Sequence, residues 1–253
     1  MTYCVAVKVK SGLVFLSDSR TNAGVDDIST TRKMSIFSKP GDRSLIVLSA
    51  GNLAITQSVK TKLKSQKNKT IWNVKSLYEV AEIIGECIRD VFKRDGDALK
   101  KGGLEFTCSF ILGGRISGEQ TRLFKIYSAG NFIEADKESL YFQIGESKYG
   151  KPILDRVLHS NISTEAAAKC LLLSMDSTIR SNVSVGMPLE LLKYQTDLQE
   201  PLSYKFVRDD DQEFRKLKTF WNEHLEEGFK KVENISWDQT LNYSCEYPND
   251  IND

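Results

Sequence analysis

The sequence predicts an α+β fold in which antiparallel sheets are packed against helices. Strand-like and helix-like segments come in blocks instead of alternating one by one, which argues against a doubly wound parallel sheet. The N-terminal segment places apolar side chains at every second position, whereas later segments repeat them at helical spacing. Because the chain has neither an internal repeat nor a linker, we predict one domain over residues 1–253, ending in a polar, loosely held tail over 234–253.

The N-terminal segment predicts a β-hairpin. Residues 3–10 carry valine at every second position towards their end, and residues 13–17 form a compact apolar return strand. Ser11-Gly12 between them is suited to a two-residue turn. In the register that this turn sets, Asp18 lies opposite Val5. Later strands are predicted over residues 34–37, 44–49, 106–112, 121–127, 140–144, 189–194 and 204–207.

Four helices are predicted from apolar residues at helical spacing. The clearest covers residues 74–92. Another covers residues 163–181 and begins with a capping signal, since Ser163 or Thr164 precedes Glu165 and a run of apolar residues. The remaining two are predicted over residues 52–64 and 209–230.

The charge balance indicates no general affinity for nucleic acid or for an anionic membrane. The chain of 253 residues has 35 basic and 34 acidic residues, so its formal net charge is +1. Five lysines lie between Lys60 and Lys69, where we expect a solvated helix end and loop, because such charge runs usually face water.

Composition also argues against secretion, membrane insertion and a metal site. No stretch reaches the roughly 18 apolar residues of a membrane-spanning helix, and the N-terminus lacks the pattern of a secretory signal. The five cysteines are scattered without a CxxC pair, which indicates reduced thiols and a cytoplasmic protein. The two histidines, His159 and His224, lie far apart, and neither zinc-ligand spacing nor a Gly-rich phosphate loop is present.

Three residues form a candidate catalytic group: Thr2, Asp18 and Lys33. In the predicted hairpin, Asp18 lies three residues along the neighbouring strand from Thr2, or roughly 10 Å at the rise of a strand. The long side chain of Lys33 can bridge such a distance. Each residue also has an ordinary alternative: Thr2 as a common second residue, Asp18 as a turn residue at the end of a strand, and Lys33 as an exposed lysine.

These residue types match the needs of a threonine nucleophile. A threonine hydroxyl becomes a good nucleophile only when a base takes its proton. Removal of Met1, which the small Thr2 permits, would expose an α-amino group whose reference pKa of roughly 8 suits a base near neutral pH. One residue then supplies nucleophile and base. Lys33 as ammonium would stabilise the forming alkoxide, and Asp18 would keep Lys33 charged and oriented.

The order of these motifs adds a family resemblance. The segment TYCVAVKVKSGLVFLSDSRTNAGVD is followed by RKM around Lys33 and by LSAGN, and softer similarity continues through SMDSTIRSNVSVGMPLELLKY at 174–194. The chain resembles proteasome β subunits, and more closely the bacterial Anbu (ancestral β-subunit) family. In that family the glycine that corresponds to Gly51 supplies the N–H of the oxyanion hole.

Two later motifs depart from the β-subunit pattern. Ile144-Gly145 is followed by Glu146 and only then by Ser147, where β subunits have a serine directly after an apolar-Gly pair. In the run 180–186, RSNVSVG, Ser184 keeps its place, but Ser181 stands where the family has an aspartate. The resemblance implies that Ser147, Ser181 and Ser184 support the nucleophile in an altered polar environment, which affects rate and substrate preference more than mechanism.

The resemblance implies a four-layer αββα sandwich of the N-terminal nucleophile hydrolase type. It further implies a peptidase that cleaves peptide bonds through a Thr2 acyl-enzyme, without metal or cofactor, in a homo-oligomeric ring or open spiral. We expect the helices over 74–92 and 163–181 to pack between subunits. A small-molecule amidase of the same superfamily and a non-catalytic self-assembling subunit remain as alternatives. The natural substrate, the subunit number and any unfoldase partner do not follow from the sequence.

Overall fold

The computed structural model describes residues 2–22, 28–65, 70–196 and 201–236. Its contacts divide the chain into two compact units, one up to Lys218 and one from Thr219 onwards. All the strands below and the first four helices belong to the first unit. One domain over residues 1–253 therefore stays a prediction, and most of the tail predicted over 234–253 lies outside the described residues.

The elements follow one another in blocks, as the sequence predicts. The strands are β1 (Tyr3–Val9), β2 (Gly12–Asp18), β3 (Arg20–Asn22), β4 (Ile28–Thr30), β5 (Met34–Lys39), β6 (Arg43–Gly51), β7 (Cys108–Ile116), β8 (Arg122–Ile126), β9 (Phe132–Glu134), β10 (Tyr141–Gly145), β11 (Leu189–Gln195) and β12 (Ser203–Val207). The helices are α1 (Leu53–Ser65), α2 (Leu77–Lys101), α3 (Lys151–Val157), α4 (Thr164–Ser181) and α5 (Gln212–Lys230). None of these helices is long and apolar enough to cross a membrane.

Two five-stranded antiparallel sheets form the centre of the first unit. One has the strand order β10-β1-β2-β11-β12 and the other the order β5-β6-β7-β8-β9. The short strands β3 and β4 pair separately as a hairpin. The α+β prediction is confirmed, although the sequence patterns did not predict β3, β4, β9 or α3.

Three separate apolar cores show how the layers stack. Neighbouring side chains of a strand point to opposite faces of its sheet. In β1, Cys4 and Ala6 therefore face the second sheet, while Val5 and Val7 pack with α4 on the other side. Strand β6 behaves likewise, with alternate residues packed against the first sheet or against α1 and α2. Two sheets between two helical layers give the predicted four-layer αββα sandwich.

The predicted register of the first hairpin is wrong by two residues. Val9 pairs with Gly12 and Val5 with Leu16, so the turn is made by Lys10 and Ser11 and Asp18 does not lie opposite Val5. Gly12 is the first residue of β2, and a Cβ atom there would lie 2.0 Å from the carbonyl oxygen of Tyr194 in β11. The glycine is thus required by the close approach of a neighbouring strand and not by the turn.

Side-chain caps mark the starts of α4, as predicted, and of α2, which begins three residues after its predicted start at residue 74. Ser163 caps α4, and its hydroxyl accepts a hydrogen bond from the Ala166 N–H. Ser76 and Glu79 form a capping box at the start of α2. The prediction ended this helix at residue 92, whereas α2 continues for nine more residues to Lys101. The apolar pattern did not reveal these last turns because they are mostly exposed.

Candidate active site

A cavity of about 950 Å³ lies where the N-terminus meets the ends of both sheets. We call it the Thr2 cavity. Its lining comprises Thr2, Thr21, Thr31, Arg32, Lys33, Met34, Ser35, Ser49, Ala50, Gly51, Asn52, Leu53, Thr56, Gln57, Lys60, Thr107 and Gly145. The predicted nucleophile, the predicted lysine and the predicted oxyanion glycine therefore share one cavity, while Asp18 lies behind it, fully buried.

Asp18 and Lys33 form a buried ion pair. Lys33 Nζ donates to Asp18 Oδ1 over 2.6 Å and to the carbonyl oxygen of Arg20 over 2.7 Å. Burial raises the pKa of Asp18 above its ordinary value, whereas Lys33 and the N–H groups of Tyr3 and Gly186 oppose that rise. Both side chains are almost inaccessible to water, so the lysine is held in one place at the cavity wall.

Ser19 and Arg20, which follow Asp18, help to hold Lys33 in place. The Ser19 hydroxyl donates to the carbonyl oxygen of Pro188 over 2.6 Å. Arg20 accepts from Lys33 with its carbonyl oxygen and donates with its guanidinium to the carbonyl oxygen of Val183 over 2.8 Å. The Asp-Ser-Arg motif therefore connects the end of β2 both to the lysine and to the segment that follows α4.

Thr2 is positioned by the end of β10. The Glu146 N–H donates to the Thr2 carbonyl oxygen over 2.6 Å. Gly145 adopts φ +80°, and a Cβ atom there would lie 2.0 Å from the same carbonyl oxygen. Only glycine allows the chain to pass so close to Thr2 in this conformation.

Tyr3 fixes Thr2 from the other side. Its N–H donates to Asp18 Oδ1 over 2.9 Å, and its hydroxyl bonds to Ser174 in α4 over 2.6 Å. The Gln143 amide donates to the same hydroxyl over 2.9 Å. Burial raises the pKa of Tyr3, so this hydroxyl stays neutral and serves as an anchor for the start of β1.

Gly51 lies at the junction of β6 and α1. Asn52 caps this helix, since its side-chain oxygen accepts from the Ala54 N–H over 3.0 Å. The N-terminus of α1 therefore opens on the cavity next to Gly51, and its dipole favours negative charge there. Gly51 thus has the setting expected of a residue that stabilises an oxyanion.

Glu146, the residue that departs from the β-subunit pattern, joins β10 to the end of α4. Its carboxylate accepts from the Ser147 and Lys148 N–H groups, each over 2.9 Å, and from the Asn182 amide over 3.0 Å. Burial alone would raise the pKa of Glu146, but these hydrogen bonds outweigh it and lower the pKa. The same residue contacts Thr2 through its backbone N–H.

The three predicted supporting serines lie outside the lining of the Thr2 cavity. Ser147 and Ser181 are exposed, and Ser184 is partly buried with its N–H bonded to the Asn182 side chain over 3.0 Å. Their supporting role stays a prediction. Sequence reasoning missed Glu146 and Asn182 as a connected pair, although the extra residue between Gly145 and Ser147 was a visible signal.

Lys60, the first member of the lysine run, is only partly exposed, and its side chain lines the Thr2 cavity. Lys60 lies on the same face of α1 as Leu53 and Thr56, and all three line the Thr2 cavity. Residues 66–69 of the run lie outside the described part of the chain. Within the described residues, no cluster of His, Cys, Asp and Glu could hold a metal ion.

Comparison with known proteins shows the family of this chain. The family model described as "Proteasome subunit" matches residues 2–192. The chain belongs to the proteasome subunit family. A search of curated proteins finds no match.

Several solved structures place the chain among Anbu subunits within that family. Anbu (ancestral beta-subunit) from Yersinia bercovieri is 47% identical with a TM-score of 0.87, and the match covers 93% of this chain and 100% of the other. An Anbu (Gly-1) mutant from Hyphomicrobium sp. strain MC1 is 44% identical with a TM-score of 0.88, covering 94% and 100%. The subunit in a helical assembly of the Anbu complex from Pseudomonas aeruginosa is 44% identical with a TM-score of 0.88, covering 93% and 98%.

Proposed function

We propose that this Anbu-type subunit is a threonine peptidase whose nucleophile is Thr2 after removal of Met1. One observation carries the proposal: Thr2 lines the same cavity as Lys33 and Gly51, and Asp18 holds Lys33 through a 2.6 Å ion pair. Nucleophilic attack on a carbonyl carbon requires three groups, namely a hydroxyl, a cation beside it and a donor for the oxyanion, and the cavity brings all three together.

In the proposed reaction, Thr2 Oγ1 attacks the carbonyl carbon of a peptide bond. The α-amino group takes the hydroxyl proton, and the Gly51 N–H stabilises the oxyanion. The C–N bond then breaks, the leaving amine receives the proton, and an ester to Thr2 remains. Water attacks this ester with the same α-amine as base, which releases the acid and restores Thr2. No metal or cofactor takes part in this scheme.

Lys33 serves as a cation in this scheme and not as the base. Its ammonium is fixed by Asp18 and by the carbonyl oxygen of Arg20, so two of its protons point away from the cavity. A charge held in this way lowers the energy of the alkoxide of Thr2 without reorganising during the reaction.

We further propose that the chain assembles with copies of itself and acts on peptides or proteins in the cytoplasm. The related subunit from Pseudomonas aeruginosa occurs in a helical assembly. At this level of identity, over almost the whole of both chains, a comparable set of subunit contacts is the simplest expectation.

Intact mass spectrometry of protein from its native host tests the proposal. Protein that starts at Thr2 should gain one adduct mass with a peptide epoxyketone, which reacts with both the hydroxyl and the amine of an N-terminal threonine. Thr2→Ala should gain none, whereas Thr61→Ala on the exposed side of α1 should react like the wild type.

Two outcomes would favour the alternatives. Protein that retains Met1 throughout and does not react would point to a non-catalytic assembling subunit. Reaction with small amide or ester substrates but with no peptide electrophile would favour a small-molecule amidase.

A further inference from the structure

The lining of the Thr2 cavity is unusually one-sided in charge. It includes three basic residues, Arg32, Lys33 and Lys60, and no acidic residue among the described positions. The chain as a whole has a formal net charge of only +1, so this excess is local. A cavity lined by positively charged side chains attracts an anionic group of a ligand.

Of the three cations, Lys60 is the one without a fixed partner. Lys33 is paired with Asp18 at 2.6 Å, and Arg32 lies 3.9 Å from the Glu190 carboxylate with its side chain largely exposed. Lys60, by contrast, has no hydrogen bond or ion pair with any residue in the described part of the chain. Burial lowers its pKa, with the Glu190 carboxylate opposing, which indicates a cation that gains from a nearby negative charge.

Glu190, the carboxylate that acts on Lys60 electrostatically, does not satisfy that need. The Glu190 side chain is 3% exposed and is not part of the cavity lining. Its carboxylate already accepts from the Tyr204 hydroxyl over 2.9 Å and from the Met34 N–H over 3.4 Å. The Glu190 carboxylate therefore acts on Lys60 only through its charge, and the Lys60 ammonium has no hydrogen-bond acceptor from it on the cavity side.

The helix that carries Lys60 determines where its side chain points. In α1, Ile55, Val59 and Leu63 pack into the core under the second sheet. Residues three and four apart share a helix face, so the neighbouring stripe of Leu53, Thr56 and Lys60 faces the cavity. The charge therefore lies in the wall of the cavity whose rim holds Thr2.

We propose that Lys60 determines the specificity of this site, and that the Thr2 cavity takes the acidic side chain of the substrate residue whose carbonyl Thr2 attacks. This inference rests on the proposed function of Thr2. The methylene groups of a glutamate or aspartate would lie beside Met34 and Leu53, and the Thr31 hydroxyl adds a donor for the carboxylate. A lysine or arginine side chain would meet the like charge of Lys60 in the same space.

The test compares two peptide epoxyketones that differ only in glutamate or glutamine at the residue next to the electrophile. The readout is the ratio of their second-order rates of Thr2 modification, measured by intact mass on protein that starts at Thr2. For the wild type we expect the glutamate probe to react roughly tenfold to a hundredfold faster, since hydrogen bonds to charged groups contribute that much. Lys60→Gln should bring the ratio close to one, and Lys60→Glu should favour a matched lysine probe.

Lys64→Gln is the matched control, because it removes the same charge one turn further along α1 at an exposed position outside the cavity lining. It should keep the wild-type ratio. Equal rates for both probes in the wild type, or an unchanged ratio in Lys60→Gln, would overturn the inference. So would an equal slowing of both probes in Lys60→Gln, since that indicates a structural role.

If no probe modifies Thr2, the proposed peptidase function fails, and binding then decides the inference separately. Fluorescence anisotropy of labelled glutamate and glutamine peptide amides with the Thr2→Ala protein gives that measurement. Preference for the glutamate peptide that disappears in Thr2→Ala/Lys60→Gln supports an acidic subsite, and equal binding rejects it.

Discussion

The Tyr3 N–H donates to Asp18 Oδ1 over 2.9 Å, and the same oxygen accepts from Lys33 Nζ over 2.6 Å. The residue next to the proposed nucleophile and the cation that would stabilise its alkoxide are therefore held by one carboxylate oxygen. Because Asp18 is fully buried, this arrangement has little freedom to relax. Any change at Asp18 should disturb both the position of Thr2 and the charge beside it.

We predict that Lys33→Met removes at least two orders of magnitude from the rate of Thr2 modification. It should also destabilise the fold by about 3–5 kcal/mol, because it leaves Asp18 buried without its partner. In Asp18→Asn/Lys33→Met most of the lost stability should return, while the modification rate stays low. Thermal unfolding and mass spectrometry separate the two effects. Full reactivity of the Lys33→Met protein would show that Lys33 is not the stabilising cation.

A second prediction concerns the close approach of Gly145 to Thr2. Gly145→Ala should slow the modification of Thr2 more than tenfold, because the new Cβ atom would lie 2.0 Å from the Thr2 carbonyl oxygen. Gly118→Ala is the matched control, since Gly118 also has a positive φ, +88°, but nothing lies within 4 Å of its added Cβ. It should lose about 1 kcal/mol of stability through backbone strain alone and keep the wild-type rate. Equal rates in the two variants would argue against this positioning.

The Glu146 carboxylate should stabilise the fold in a pH-dependent manner. Because its pKa is lowered in the folded chain, its contribution is present above the ordinary glutamate pKa of 4.5 and is lost as the pH falls through the folded value. Glu146→Gln should lower the melting temperature by about 2–4 °C at pH 7, as expected for roughly 1 kcal/mol. At pH 3 the two proteins should melt within about a degree of each other. A difference independent of pH would assign the effect to packing instead.

Self-assembly gives a further prediction. At micromolar concentration, size-exclusion chromatography with light scattering should find masses that are multiples of the chain mass, 28.6 kDa. The proposed nucleophile Thr2 lies at the end of two sheets, and neighbouring subunits are one physical way to restrict access to it. A stable monomer with full peptidase activity would contradict assembly and favour a small-molecule amidase.

The sequence by itself determined the α+β class and indicated the catalytic candidates, and the family resemblance implied the two-sheet arrangement. Local patterns were sufficient for the class because apolar periodicity reports directly which face of a strand or helix is buried. The order of Thr2, Asp18, Lys33 and Gly51 along the chain was enough to indicate the family, and the shared cavity then placed three of them together with Asp18 behind them.

The register of the first hairpin was decided only by tertiary structure. Moving the pairing of β1 and β2 by two residues leaves every side chain on the same face, so the apolar pattern cannot distinguish the two registers. The decision comes from contacts far along the chain, namely the approach of β11 to Gly12 and the bond from Tyr3 to Asp18.

The charge of the cavity was likewise invisible in the linear sequence. Lys60 stands in a run of lysines whose ordinary position is a solvated helix end. A pattern along the chain states which residues are charged, but the packing of α1 beside Thr2 determines which charge faces the cavity. That packing depends on the second sheet, the helix cap at Asn52 and the core beneath Val59, and no single segment contains all three.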